Sequence, residues 1–382
     1  MSAPRRLRGA LLTWAVGLGV LRLTFWAPEV CPTLTSTAAR ATAVDAGEWI
    51  QTNQETDGRY LYGWDRDDAE VDTGYNLVRH AGVTMSLYQL AEAGEIQFLE
   101  PADRGLDWML GRLEPAGDGV AFADGSRAKL GASALLVVSL AHRRLVTDDT
   151  GHDETMLELG HFLQGQQRAN GAMLNFYDLD ADARVPEETS VYSTGEALWA
   201  IALLDEAFPD EGFEPSAWTT LDYITTERDA AEGYWPEPWP DQWAAYSLAE
   251  MAEWGLEDHH VEYAREMLHR YASFVRFDAQ RGTTYGDLTH GPEPRGSGFG
   301  TWIEGLAELR ELTTVDQRMN DLTDGADETL ACGAARLAES QTPAGADVPP
   351  QVAGAWFYDG QTRMDDQQHA ASGMLGAEPV LP

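Results

Sequence analysis

YNLVRHAGVTMSLYQL (residues 75–90) sets an arginine and a histidine, Arg79 and His80, near the start of a segment that is otherwise apolar on most faces. A surface helix shows one apolar stripe and a polar back, whereas a helix that is apolar nearly all round has to be covered on every side. Charged and titratable groups at one end of such a buried helix make physical sense if that end opens into a pocket. Five later segments share the character: 129–143, 193–207, 241–254, 298–312 and 366–375.

Each of these six segments (the first taken as 75–93) follows an amphipathic one, at 46–54, 102–113, 154–168, 217–227, 261–274 and 324–341. The loops between partners repeat as well. ETDGRYLYGWD, QRANGAMLNFYD, AAEGYWPEPWPD, AQRGTTYGD and VAGAWFYDG each set a glycine before an aromatic or apolar patch and an acid. Glycine ends a helix by taking the left-handed conformation, and the following aromatic packs back over the helix end. Six helices covered all round, alternating with six that need one covered face, predict two concentric rings in an all-α domain.

This pattern resembles the (α/α)6 toroids of the six-hairpin glycosidase-like superfamily, over residues 46–382. The resemblance implies parallel inner helices whose amino-terminal ends gather at one mouth, and an enzyme acting on carbohydrate. The toroid of terpenoid cyclases and protein prenyltransferases is similar too. Its glutamine, glycine and aromatic signature is echoed in QQRANGAMLNFYD, and Asp65, Asp67 and Asp68 of WDRDDAE resemble the DxDD acid of class II cyclases.

Composition narrows the partners. With 63 acidic against 26 basic residues the formal net charge is -37, so nucleic acid and anionic membrane surfaces are repelled. Lys129 is the only lysine, and so large a carboxylate excess is the composition of a protein suited to high salt, where screening removes self-repulsion. No P-loop and no glycine fingerprint after a strand is present, so no nucleotide cofactor is expected. No metal triad is visible either. Cys31 and Cys332 are too few for a disulfide framework, and Cys332 reads as a small buried thiol in an apolar helix.

The amino terminus is a case apart. Arg5, Arg6 and Arg8 precede a largely apolar run at 9–28, so residues 1–45 read as a signal peptide or signal anchor with a linker. The arginines then stay cytoplasmic, and the bulk of the chain lies outside, secreted or tethered to the membrane through 9–28.

At the shared mouth, the sequence offers Arg79 and His80 on the first inner helix, Lys129 on the second and Glu196 on the third. Asp241 and Gln242 start the fourth, Arg295, Trp302 and Glu304 belong to the fifth, and Asp365, Asp366, Gln368 and His369 to the sixth. Tyr75, Trp235, Trp239 and Trp243 are aromatics in or beside the mouth-side loops; flat rings beside carboxylates and amides suit sugar rings. Glu196, among Leu198, Trp199 and Ala200, is expected to have a raised pKa and act as acid, with Asp241 or Asp366 as base in a glycoside hydrolase. Asp241 and Asp366 read equally well as helix caps. Arg79 and Arg295 are candidates to grip the carboxylate of a uronic-acid-containing glycan, and His80 as a base would give a uronate lyase or epimerase. A non-catalytic toroid that binds a glycan or a protein would keep the aromatics and dispense with the paired carboxylates.

Overall fold

The computed structural model describes residues 3–25, 27–186, 189–345 and 347–382. After α1 (Ala3–Phe25) come six helical hairpins in sequence: α2 (Ser36–Thr52) with α3 (Leu77–Glu92), α4 (Leu99–Leu110) with α5 (Leu130–Thr147), and α6 (Asp153–Gln166) with α7 (Ser193–Ala207). The second half pairs α8 (Glu214–Thr226) with α10 (Gln242–Glu250), α11 (Asp258–Ala279) with α13 (Gly296–Val315), and α14 (Thr323–Glu339) with α15 (Met364–Ala377). Short α9 (Arg228–Glu232) and α12 (Thr284–Thr289) lie in the connecting loops.

The second members form the inner ring. α3 packs on α5, α5 on α7, α7 on α10, α10 on α13, α13 on α15, and α15 returns to α3. The burial each helix achieves follows its sequence. Every residue from Ser193 to Leu204 of α7 is buried, whereas α4 buries Pro101, Ala102, Gly105, Leu106, Trp108 and Met109, one stripe at helical spacing. Where inner helices meet, glycines make room. A Cβ on Gly195 would lie 2.6 Å from Asp241 Oδ2, one on Gly82 2.7 Å from Gln368 Nε2, and one on Gly300 2.5 Å from the carbonyl carbon of His369.

A second feature closes the ring at the mouth. Strand β1 (Gly63–Asp65), from the loop after α2, pairs antiparallel with β2 (Glu70–Asp72), and its other edge pairs with a late strand, Gln361–Arg363, immediately before α15. Gly63 sits opposite Arg363, so the first and last hairpins are joined by backbone hydrogen bonds. A five-stranded antiparallel sheet lines another part of the same side: β3 (Leu113–Ala116), β4 (Gly119–Asp124), β5 (Arg127–Lys129), β6 (Phe176–Asp178) and β7 (Ala183–Arg184), which makes Gln361–Arg363 β8. Strands this short carry too few residues for alternation to be read from sequence, so the all-α expectation missed them.

Three expectations need correction. The first outer helix starts at Ser36, capped by the Thr35 hydroxyl, and buries Ala39 and Ala43 against the core ten residues before the predicted start. Cys31 and Cys332 form a disulfide across 301 residues of sequence, so Cys332 is not a free thiol. The apolar anchor is not supported: α1 carries Arg5, Arg6, Arg8 and Arg22, and among the described residues the one helix long and apolar enough to cross a membrane is α5, two thirds of it buried in the protein.

Candidate active site at the mouth of the ring

The amino-terminal ends of the inner helices surround a cavity of about 420 Å³. Inner helices with opposed positions in the ring supply its two walls. From α7 come Ser193 and Glu196; from α15, three places round the ring, come Asp365, Gln368 and His369. Gln242 and Trp243 of α10, and Ser297 and Thr301 of α13, complete one flank, while Arg79 of α3, Lys129 before α5 and Arg363 before α15 complete the other.

Glu196 is held by its surroundings. Its Oε2 lies against the Cα of Gly131, where a Cβ would come within 1.8 Å, so the second residue of α5 has to be glycine for this carboxyl to fit. Burial pushes its pKa up to about 8, the nearby Asp241 adds to the rise, and Lys129 and Ser193 oppose it. At neutral pH Glu196 therefore carries its proton.

On the facing wall, His369 Nδ1 lies 2.7 Å from Glu304 Oε2. Glu304 is buried on α13 behind the histidine, and its charge lifts the His369 pKa above the ordinary value against the opposing effect of burial. Burial also raises Glu304, so the two share a proton as a pair. With Nδ1 engaged, Nε2 is the ring nitrogen left over on a residue that lines the cavity, the arrangement of a base oriented by a carboxylate. Trp243 backs the site, its ring 5.9 Å from that of His369 and 5.8 Å from that of Trp199.

Asp365 has a different part. Its Oδ2 forms an ion pair with Arg79 Nε at 3.1 Å and accepts from Arg363 Nη2 at 3.0 Å, while its Oδ1 is buried with no hydrogen-bond partner among the described residues. Arg79 also donates to the Tyr62 hydroxyl. One carboxylate thus orients two guanidinium groups.

Eight of the sequence candidates line the cavity together: Arg79, Lys129, Glu196, Gln242, Trp243, Asp365, Gln368 and His369. Glu304 reaches it through His369. The others lie elsewhere, for identifiable reasons. Asp241 caps α10 by accepting from Trp243 N–H, and its Oδ2 accepts from Arg228 Nη1 at 2.5 Å; both partners are wholly buried. Burial raises its pKa and Arg228 opposes the rise. Asp366 staples the starts of α13 and α15, accepting from Ser297 N–H, Arg363 N–H and Arg295 Nη1 at 2.8 to 2.9 Å. Neither aspartate has an oxygen turned to the cavity, and Arg295 is spent on Asp366.

His80 is also inside the wall. Its Nδ1 is 2.6 Å from the Tyr75 hydroxyl, its Nε2 3.0 Å from the Gly105 carbonyl, and its ring stacks on Trp108 at 4.4 Å. Burial pushes its pKa down to about 3, so it is a neutral packing group and Tyr75 is its partner. Trp302 packs on Phe274 and Phe299 away from the cavity, Trp239 leans on Tyr234, and Trp235 is 82% exposed on its loop. In WDRDDAE, Asp65 Oδ1 accepts from the backbone of Asp67 and Asp68 in an exposed turn, which holds its pKa below the usual range.

Several lining residues were not singled out from the sequence: Asn76, Asn175, Tyr192, Ser193, Thr301 and Arg363. Asn76 had a visible signal as the cap of α3, accepting from Val78 N–H. Asn175 and Tyr192 sit in loops, Ser193 and Thr301 near the starts of α7 and α13, and Arg363 ends β8; only the closed ring brings them to one cavity.

No family model and no curated protein matches the chain. Solved structures do. A D-mannose isomerase superposes with a TM-score of 0.61 at 13% identity, over 89% of this chain and 96% of the other. The GH76 α-mannanase of Bacteroides thetaiotaomicron gives 0.57 at 11%, over 89% and 95%. A type II terpene cyclase from Scytonema gives 0.56 at 14%, over 91% and 99%. The fold is the α/α toroid. It is shared by the glycosidase-like superfamily and by the terpene cyclases, as the repeat pattern implied, and identities this low carry the fold alone.

Proposed function

We propose that this chain is a carbohydrate-active enzyme that moves a proton at the carbon beside a sugar carbonyl, as an epimerase or an aldose–ketose isomerase. The observation that carries the reading is the pair of acid–base groups on opposite inner helices: His369, oriented by Glu304, and the protonated Glu196. His369 Nε2 takes the proton from the carbon next to the carbonyl; the electron pair moves toward the carbonyl oxygen, which receives the Glu196 proton, giving an enediol. For isomerisation the histidine returns its proton to the former carbonyl carbon, and the hydroxyl on the adjacent carbon gives its proton to Glu196 as the new carbonyl forms. For epimerisation the enediol turns over in the cavity so that His369 returns the proton to the opposite face of the same carbon, while the enol oxygen returns its proton to Glu196. The fold's sugar-converting neighbours support the carbohydrate class.

Hydrolysis, the expectation from sequence, is the second reading, favoured by the same protonated Glu196. It needs an ionised carboxylate free to activate water or attack carbon. Asp241 and Asp366 are bound by arginines and backbone, and Asp365 is shared between Arg79 and Arg363. Incubating the protein with aldoses, uronates and oligosaccharides in deuterium oxide separates the two: deuterium at the carbon next to the carbonyl is expected, and new reducing ends without exchange would replace this reading by hydrolysis. Location outside the cytoplasm is part of the proposal, supported by the Cys31–Cys332 disulfide, a bond that persists in oxidising compartments.

A further inference from the structure

The cavity is charged opposite to the molecule that holds it. On a chain of net charge -37, three of the lining residues are cations, Arg79, Lys129 and Arg363. They are not scattered round the mouth. Arg79 is on α3, Lys129 caps the start of α5, and Arg363 leads into α15, three inner helices that follow one another in the closed ring. The opposite arc, from α7 through α10 to α13, supplies Ser193, Gln242, Trp243 and Thr301, which are neutral.

Internal pairing leaves this arc in surplus. The two arginines share the single carboxylate of Asp365. Lys129, the chain's one lysine, makes no ion pair among the described residues; its ammonium lies 5.9 Å from the Phe176 ring. Glu196 is protonated at neutral pH and so cancels nothing, and the Glu304–His369 pair is balanced within itself. Asp365 Oδ1, Arg363 Nε and Gln368 Nε2 are buried without partners among the described residues in the same region, and Gln368 is only 2% exposed. Buried polar atoms without partners are uncommon unless a ligand or water completes them.

We infer that the α15–α3–α5 arc is an anion receptor, with Lys129 its unpaired cation, and that the pocket takes an acidic sugar whose carboxylate or phosphate sits on this arc. The inference rests on the cavity being a sugar site, as proposed above, and adds the substrate class. An ammonium with no counter-ion among the described residues and two guanidinium forks held in place recognise a carboxylate or a phosphate by the same charge-assisted hydrogen bonds. The ring of the sugar then extends toward Trp243 and the hydroxyl-bearing flank. Neutral sugars would leave the cations unmatched.

Isothermal titration of the full chain with glucose, glucuronate and glucose 6-phosphate tests this. At least one anionic sugar should bind about tenfold or more tightly than glucose, and that advantage should shrink as salt is raised. Lys129→Met should remove most of the advantage, weakening the anionic sugar far more than glucose. Lys129→Gln repeats the measurement should the first variant show altered circular dichroism. A preference for glucuronate alone identifies the anion as a carboxylate, and for glucose 6-phosphate alone as a phosphate; either supports the inference. Equal affinity for all three sugars, or an anionic preference untouched by both lysine variants, overturns it. Deuterium exchange into a neutral sugar with no anionic preference would overturn this inference and leave the proton-transfer reading standing, whereas tight uronate binding without exchange would do the reverse.

Discussion

Glu196 and Gly131 are one device at the level of single residues. The carboxyl occupies the space a side chain at 131 would need, so Gly131→Ala has to displace it. We expect that substitution to cost about 1–3 kcal/mol of stability and, measured separately, to lower kcat more than KM is altered. The pH profile follows from two groups. His369 must be unprotonated to act as base, and its pKa is raised above the ordinary value near 6.5; Glu196 must be protonated, and its pKa is about 8. Activity should therefore fall as pH drops through the His369 value and fall again as pH rises past about 8, giving a narrow bell. Glu196→Gln should remove the alkaline limb and cost about 10²–10⁴-fold in kcat. A profile whose alkaline limb survives in that variant would assign the acid elsewhere. Glu196 was legible in the sequence because its apolar neighbours on α7 foretell burial. The fates of Asp241 and Asp366 were not, because their arginine partners are decided by tertiary contact: Arg228 reaches Asp241 from 13 residues away, and Arg295 reaches Asp366 from 71.

Elements divide into those whose pattern announces them and those that exist only in context. The inner helices were readable, since a long run apolar on all faces has one physical solution. Their caps were partly readable: Asp241 accepts from Trp243 N–H at the start of α10 and Asp366 from Arg363 N–H at the start of α15, whereas the Asn76 cap of α3 was passed over. The mouth-side strands were not, for three-residue strands such as β1 and β8 are stable only because each supplies the other's hydrogen bonds. Asp241 belongs to this scale as a structural residue. Removing its partner should show it: Arg228→Met leaves Asp229 and Asp241 with no cation inside the wall, and we expect a loss of about 3–5 kcal/mol in urea unfolding. Asp241→Asn, by contrast, should reduce stability with kcat kept within about threefold once folded, since no oxygen of this residue faces the cavity. A loss of several hundredfold would restore it as a catalytic group.

The whole molecule is a closed ring whose ends are tied twice, by the β1–β8 pairing and by the Cys31–Cys332 bond. Neither tie is visible in the sequence, because both join positions about 300 residues apart, although the count of six repeats already favoured closure over an open stack. Replacing Cys31 and Cys332 by serine should lower stability by about 2–5 kcal/mol, read as a shifted denaturant midpoint, and should spare kcat. Surface charge acts at this scale too: with -37 charges, raising salt should raise the unfolding midpoint, and an unchanged midpoint would contradict the high-salt reading of the composition. Function depends on the closure, since it alone sets α7 and α15 in opposition across one cavity. A crystal structure of the protein soaked with glucuronate is the most direct test. The account predicts the sugar between these two helices, its carboxylate within about 3 Å of Lys129 Nζ and a carbon beside its carbonyl facing His369 Nε2. A sugar bound outside the ring's mouth, or one inside it with its carboxylate turned toward α10 and α13, would contradict the account.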